Sequence, residues 1–377
     1  MKYNTAIPYF SSEDIDEILE EYRTILSGEG LMSMGSNVQE FEKKFSNYIG
    51  TKYAVATNSC TAALEIALSS LGVEQDDEVI IPCQTFFATG SSVVRIGAKP
   101  VFCEVDENFL LDCKSFKEKV SRKTRAVIIV HFGGLIHPQI FEIKNWLKER
   151  NISLIEDAAH AHGSKIGELY GGNIGDIGCF SFYSTKIMTT GEGGMLTTNS
   201  NDIYLKASSL RSRGLDVSAG VEIFSNFGSN SRVSEFQAIL GLHQLKRLEQ
   251  FSSHRAKLAT IYREALNPLK EKGIISFQSY PSDIKHAYWR FIVMLKNTKI
   301  DREDIKNKMG SFGISIDWPY APLLHLQPAF KRLLGTSEGD LPRSEELAEK
   351  HFCVPIHLLI HENDAKYIAE KLKQILQ

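Results

Sequence analysis

Near the N-terminal end, apolar positions recur at helical spacing: Ile15, Ile18, Leu19, Tyr22, Ile25 and Leu26 share one face, and Val38, Phe41, Phe45 and Tyr48 share another. The first run follows Ser11 and Asp14, a pair resembling a capping box, and stops at Gly28; the second ends at Gly50. Beyond Gly50 the period changes. Short apolar runs of strand length, at 53–57, 78–82, 100–105, 126–130, 152–156 and 178–182, alternate with helical segments such as 61–71 and 139–149. Continuous apolar runs separated by helices predict an α/β fold with a mainly parallel sheet covered on both faces. A long helical region at 232–266 precedes a strand-like run at 288–295, a helix begun by Asp301, an irregular proline-rich loop at 318–328, and closing helices after Leu341 and Asn363. A break near 250–253 divides the chain into a large domain, 1–250, that includes the N-terminal helices, and a smaller α+β domain, 251–377.

Composition narrows the function. With 377 residues, 43% of them hydrophobic, the chain can bury a core of two-domain size. A formal net charge of -3 exerts no long-range pull on nucleic acid, and no run of Lys and Arg is interleaved with aromatics. The N-terminal stretch meets acids before a signal-type apolar core could form, and no apolar run approaches the ~20 residues of a membrane span. A cytoplasmic protein with no membrane or nucleic-acid partner is therefore expected. Cys60, Cys83, Cys103, Cys113, Cys179 and Cys353 show no CxxC spacing and read as reduced, buried thiols.

The chemistry concentrates in 151–199, where one apolar run ends in Glu156 and Asp157, a second reaches Tyr183, and Lys186 precedes a glycine hairpin. An acid and a lysine at strand ends stand where open α/β sheets keep their ligands. Asp157 could hold a heteroaromatic nitrogen protonated, as the pyridinium of pyridoxal phosphate requires, or could simply cap a helix. Lys186 in apolar surroundings would offer a neutral amine for a Schiff base; in solvent it would be an ordinary cation. Asn58 to Ala63, between a strand and a helix, could face a phosphate with backbone N–H groups and the Thr61 hydroxyl, or form an ordinary N-cap. Phe86, after a strand end, could cover a flat ligand or pack in the core. His160 and His162 lack the further ligand spacing that a metal site needs, and no metal is expected.

Taken together, the segments N-S-C-T-A-A-L, I-P-C-Q-T-F-F-A-T, G-A-K-P-V-F, I-E-D-A-A-H-A-H-G, S-F-Y-S-T-K-I-M-T-T-G-E-G-G and S-N-S-R-V-S-E-F-Q-A-I-L-G occur in this order. The series resembles the DegT/StrS family of pyridoxal-phosphate-dependent sugar aminotransferases, from Gly35 to the P-L-L-H-L-Q-P that starts at Pro322. The resemblance implies a seven-stranded, aspartate-aminotransferase-like sheet of PLP fold type I. It makes Lys186 the Schiff-base lysine and Asp157 the partner of the ring nitrogen. Phe86 falls against the ring face, His160 near the ring oxygen, and Cys60, Thr61 and Ser181 at the phosphate. Asn230 matches an asparagine that in the family reaches the phosphate of the neighbouring subunit, which implies a homodimer with shared active sites. Dehydratases of the family carry histidine in place of this lysine, so Lys186 favours transamination, with L-glutamate the usual donor and pyridoxamine phosphate the cofactor's aminated form.

The resemblance implies a nucleotide-linked keto-sugar as acceptor, giving an amino sugar for a surface glycan, near Trp318, Tyr320, His325 and the partner's Arg232. Two segments depart from the family pattern: D-W-P-Y-A-P-L-L-H, from Asp317, and H-F-G-G-L-I-H, from His131. Both fall where the acceptor is expected, so a smaller phosphorylated ketone stays open as an alternative. A dinucleotide-dependent oxidoreductase would need a GxGxxG turn, absent at Asn58, and a regulatory protein would need a basic surface that the chain lacks.

Overall fold

A computed structural model describes residues 2–216, 221–297 and 300–377. Seven strands build the central sheet: β1 Tyr53–Thr57, β2 Glu78–Pro82, β3 Lys99–Cys103, β4 Thr124–Val130, β5 Ser153–Asp157, β6 Ile177–Ser181 and β7 Gly194–Thr198. Their spatial order is β1-β7-β6-β5-β4-β2-β3. Neighbours run parallel except at β7, which is antiparallel to both β1 and β6. The six runs expected from apolar patterning are all strands; β7 is the one that had been read only as part of a glycine hairpin.

Both faces of the sheet are covered, which is why its strands carry continuous apolar runs. Val79, Ile81, Ile128, Ile155 and Ile177 meet Ala63 and Leu64 of α3, Cys60–Ser70. On the opposite face Ile80, Val127, Ile129 and Leu154 meet Ile140, Ile143 and Leu147 of the helix Ile140–Lys148. The N-terminal helices are α1, Ser12–Thr24, capped by Ser11, and α2, Ser36–Ile49. The α1 end continues through one wider turn, Ile25–Glu29, instead of stopping at Gly28. From α2, Phe45 sets its ring 5.0 Å from Phe180 and 5.4 Å from Phe182, nearly perpendicular to both. Burying each ring contributes about 1.5–3 kcal/mol, and an edge-to-face pair about 0.5–1.5 kcal/mol more. The contact pins β6 and the loop that follows it.

The helical region expected at 232–266 is two helices, Glu235–Lys246 and Leu248–Glu271, divided at Arg247. The break expected at 250–253 lies inside the second helix. That helix runs on because one apolar stripe serves two cores: Leu248 and Phe251 pack beside β6, whereas Leu258, Tyr262 and Leu266 pack in the C-terminal core. The C-terminal core is built on an antiparallel sheet of Ile275–Phe277, Phe291–Leu295 and His351–Val354. Tyr3, expected with the large domain, belongs to this core, where it bridges to Ile314. Among the described residues, no helix is long and apolar enough to cross a membrane.

Candidate active site

Asp157 closes β5 and pairs in register with Cys179 of β6, so the carboxyl ends of these two parallel strands lie side by side. Lys186 follows β6 by one short turn. Both residues open on a pocket of about 540 Å³ that is also lined by Cys60, Thr61, Phe86, His160, Ser181 and Tyr320. Eight residues singled out from sequence are thus brought to one cavity.

Lys186 turns its Nζ onto the face of Trp289, 4.6 Å from the ring centroid. The indole Nε1 donates to the Thr185 carbonyl at 3.0 Å, which latches Trp289 to the lysine's own loop. Burial lowers the Lys186 pKa to about 8; the negative charges nearby, Asp157 foremost, oppose the shift, and the Arg290 guanidinium adds to it. A neutral amine is therefore available close to physiological pH.

Asp157 is held from behind. Thr89, on α4 (Phe87–Arg95), donates its hydroxyl to Oδ2 at 2.8 Å, and the Ala159 N–H donates to Oδ1 at 3.2 Å. Burial nevertheless raises the Asp157 pKa against these donors and against Lys186. A buried carboxylate that the chain's own groups compensate incompletely, and that faces a cavity, suits a cationic ring nitrogen.

The start of α3 supplies an anion cradle. Ser59 caps the helix, its Oγ accepting from the Ala62 N–H at 3.1 Å, and the first i→i−4 bond runs from Ala63 N to Ser59 O at 3.1 Å. The N–H groups of Cys60 and Thr61 precede that bond and belong to the electropositive first turn. Gly194 of β7 lets the sheet approach this turn: a Cβ there would lie 2.5 Å from the Ser59 carbonyl oxygen and 2.6 Å from the Cys60 nitrogen. Phe86 flanks the cavity yet is 56% exposed, as a ring waiting to cover a flat ligand would be. An amine, a buried carboxylate, a helix N-terminus and an uncovered aromatic fit pyridoxal phosphate.

His160 lies stacked on Trp289, centroids 3.6 Å apart, with Nε2 2.7 Å from the Tyr320 hydroxyl. Burial pushes its pKa well below the usual value, so the imidazole is neutral. His162 points elsewhere, between Phe180 and Phe182.

Four expected residues do not line this cavity. His325 is fully buried, with Nε2 2.8 Å from Glu345 and its ring against Phe102, so it braces the loop that was expected to offer it to substrate. Trp318 packs with the C-terminal core beneath Arg302 and Lys306, at 4.6 and 4.7 Å. Asn230 is exposed, its backbone carbonyl accepting from the Asn58 side chain at 3.3 Å. Arg232 likewise lies outside the pocket of its own chain.

Thr89, Trp289 and Arg290 line the cavity and were not foreseen as site residues. Thr89 carried a faint signal, four residues after Thr85; from the first turn of α4 its hydroxyl lies 2.9 Å from that of Thr85, which precedes the helix. Trp289 and Arg290 carried none. The Arg290 guanidinium stacks 4.3 Å above Trp289, with Asp317 at 3.2 Å as its carboxylate partner.

Comparison with known proteins gives the family of the chain. The model of the DegT/DnrJ/EryC1/StrS aminotransferase family matches residues 12–373. GDP-perosamine synthase of Escherichia coli O157:H7 is 30% identical over 376 residues, covering 99% of this chain and 99% of its own length. The X-ray structure of an aminotransferase from Psychrobacter cryohalolentis superposes with a TM-score of 0.92 at 30% identity, over 99% of this chain and 98% of that one. Spr1654 of Streptococcus pneumoniae, solved in a PLP form, gives a TM-score of 0.89 at 25% identity, over 100% of this chain and 99% of its own. The chain belongs to the DegT/DnrJ/EryC1/StrS aminotransferase family.

Proposed function

We propose that this protein is a pyridoxal-phosphate-dependent aminotransferase that moves an amino group from an amino acid, L-glutamate by family resemblance, to the ketone of a nucleotide-linked keto-sugar, in amino-sugar biosynthesis for a surface polysaccharide. One observation carries the reading: an amine of lowered pKa and a buried carboxylate stand at neighbouring strand ends around one cavity. Similarity to GDP-perosamine synthase over the whole chain supports the sugar-nucleotide class of acceptor.

Asp157 would face the cofactor's ring nitrogen, Phe86 its ring, and the first turn of α3, with Thr61 and Ser181, its phosphate. Bound pyridoxal phosphate supplies a carbonyl for amine exchange and a ring that accepts the electrons of the donor's Cα–H bond. Lys186, as a free amine, takes the Cα proton and returns it, acting first as base and then as acid. Asp157 stays charged because the ring cation supplies the compensation that Thr89 and Ala159 leave incomplete. His160, held neutral, does not compete with Lys186 for the proton. Arg290 provides a positive charge beside Lys186 for a substrate carboxylate or phosphate. Asn230, exposed beside Asn58, would complete the phosphate site of a second copy, so the working enzyme is a homodimer in the cytoplasm.

The test uses protein loaded with pyridoxamine phosphate and mixed separately with nucleotide keto-sugars and with small phosphorylated ketones. A nucleotide keto-sugar is expected to restore the pyridoxal absorbance fastest. Faster return with a small keto-phosphate would overturn the acceptor assignment, and no return with any ketone would overturn the transaminase reading.

A further inference from the structure

Away from the pocket, α1 lies against the helix Glu235–Lys246, and the two bring Asp14, Glu17 and His243 together with one ligand atom of each within 4.8 Å of the others. On α1, Asp14, Glu17 and Glu21 recur at helical spacing and share one face. Glu21 Oε1 lies 2.9 Å from His243 Nε2, and in the tautomer that donates to it the Nδ1 lone pair faces inward. Nδ1 is 3.6 Å from Asp14 Oδ1 and 3.6 Å from Glu17 Oε2. Asp14 and His243 are 1% and 7% exposed, and neither Asp14 Oδ1 nor His243 Nδ1 has a hydrogen-bond partner. In that tautomer three acceptors converge on one spot with no hydrogen-bond donor between them, the Lys246 ammonium standing off Glu17 Oε2 at 3.7 Å, and the arrangement is unfavourable unless a positive charge sits at its centre.

That charge could be a proton or a metal ion, and the spacing distinguishes them. A proton shared between Nδ1 and a carboxylate draws the heavy atoms to about 2.7–3.2 Å. Donor atoms on a tetrahedral divalent ion, each at about 2.0–2.2 Å from it, lie roughly 3.4 Å apart. The observed 3.6 Å matches the second arrangement. The local charge agrees. Glu13, Asp14, Glu17 and Glu21 contribute four negative charges, offset by Arg247, on the far oxygen of Asp14 and on Glu13, and by Lys246, 3.7 Å from Glu17. With a neutral imidazole, two negative charges remain for a dication to neutralise.

We propose that Asp14 Oδ1, Glu17 Oε2 and His243 Nδ1 form a structural site for a divalent transition-metal ion of the zinc class. An imidazole with two carboxylates suits such an ion better than calcium or magnesium, which take all-oxygen sets. Glu21 orients the histidine as an outer-sphere carboxylate. Arg247 and Ser11 hold the other Asp14 oxygen, so Oδ1 is aimed at the ion. Glu17, half exposed, leaves a side open for entry and for a water as fourth ligand. The ion would tie α1 to the helix that supports α2 from beneath, where Gly241 lies against Phe41.

The test is cobalt(II) titration of the full-length holoenzyme after chelation, read by the metal's visible ligand-field bands, with zinc(II) calorimetry alongside. One saturable site per chain is expected, together with a thermal transition that rises with free zinc. His243→Gln and Glu17→Gln should each weaken binding at least tenfold, and Glu21→Gln by about 10–100-fold. Should His243→Gln fail to fold, Glu17→Gln carries the test, because that side chain is on the surface. No saturable binding, or binding equally tight in Glu17→Gln and wild type, would overturn the site; so would NMR showing His243 doubly protonated at neutral pH in the presence of zinc.

Discussion

The Lys186 Nζ lies 4.6 Å from the centre of the Trp289 ring, and Trp289 is bonded to the residue just before that lysine. The indole thus desolvates the amine while its π face offers a partial electrostatic substitute for water. Burial wins, and the pKa falls from 10.5 to about 8. In cofactor-free protein, the rate at which this amine reacts with an aldehyde should rise with pH through about 8 and level off above it. Because Arg290 favours the neutral amine, Arg290→Gln should move that midpoint upward; because Asp157 favours the ammonium, Asp157→Asn should move it downward. A pH profile of pyridoxal phosphate uptake checks both signs. A midpoint near 10.5 in the wild type would show that the amine is not desolvated.

Lys186→Ala should lose both the covalent anchor and the proton carrier. Purified with cofactor, it should lack the absorbance at the visible edge that a lysine-linked cofactor gives, and its transamination should fall by a factor of at least 10³, larger than the 10²–10⁴ range of acid–base assistance alone would require at its lower end. An unchanged spectrum would remove Lys186 from the site.

Thr89 donates to the Asp157 oxygen at 2.8 Å from inside α4. Replacing it by valine keeps the shape and removes a donor to an anion, about 1.5–3 kcal/mol of interaction. Burial already raises the Asp157 pKa and the Thr89 bond lowers it, so Thr89→Val should raise it further. The protonated form is the inactive one, so the acid limb of the kcat/KM profile should shift to higher pH, with little change on the alkaline side. A uniform loss at all pH values would mean that Thr89 acts on packing alone.

Asp157, Lys186 and the start of α3 were legible because each stands next to a strand whose apolar run announces it, and the order of strands and turns does the rest. Trp289 and Arg290 were not legible. They precede the strand Phe291–Leu295 by two and one residues and reach the cavity only because the chain turns there, with Tyr288 at φ 51°. The boundary expected at 250–253 falls inside the helix Leu248–Glu271, because an amphipathic helix can leave one core and enter another with no change in its period. His325 was misplaced because the resemblance located its loop without showing that Glu345 would capture the imidazole. The antiparallel β7 was obscured by the glycines at its start, and the one that opens the strand has a steric duty that pattern alone does not reveal.

That glycine is Gly194. Its backbone is not in the left-handed region, so the constraint is one of space: a Cβ would meet the Ser59 carbonyl and the Cys60 nitrogen at 2.5 and 2.6 Å. Backbone atoms cannot rotate away as a side chain could. Gly194→Ala should therefore push β7 and α3 apart, costing roughly 1–3 kcal/mol in denaturant unfolding and weakening cofactor retention together. Gly191→Ala is the control: nothing lies within 4 Å, and its φ of +80° imposes only a conformational cost of about 1 kcal/mol. If Gly191→Ala lost cofactor as readily as Gly194→Ala, the close approach would not be what shapes the cradle.

Glu156 precedes Asp157 and points to the other face of the sheet, where it is fully buried. Its carboxylate lies 2.8 Å from His131 Nε2 and accepts the N–H groups of Gly172, Ile174 and Gly175 at 2.8, 2.6 and 2.5 Å. Burial alone would raise its pKa, but His131 and these backbone donors outweigh it and the net shift is downward. A carboxylate with a depressed folded-state pKa contributes stability that is present above its unfolded value, about 4.3, and is lost as pH falls through the folded value. Glu156→Gln replaces one acceptor oxygen by an NH₂ that faces donors, so it should cost at least about 1–3 kcal/mol at neutral pH, the penalty for leaving buried polar groups unpaired. It should also flatten the acid side of the stability curve. The segment Gly172 to Gly175 leads directly into β6, so loosening it should reach Lys186 as well, lowering activity without touching any group that contacts substrate. Denaturant unfolding of both proteins at pH 7 and at pH values well below the unfolded value of about 4.3 separates the cases: equal stabilities at pH 7 would show that Glu156 is a passenger, and a gap that holds down to that value and narrows below it is the expected result.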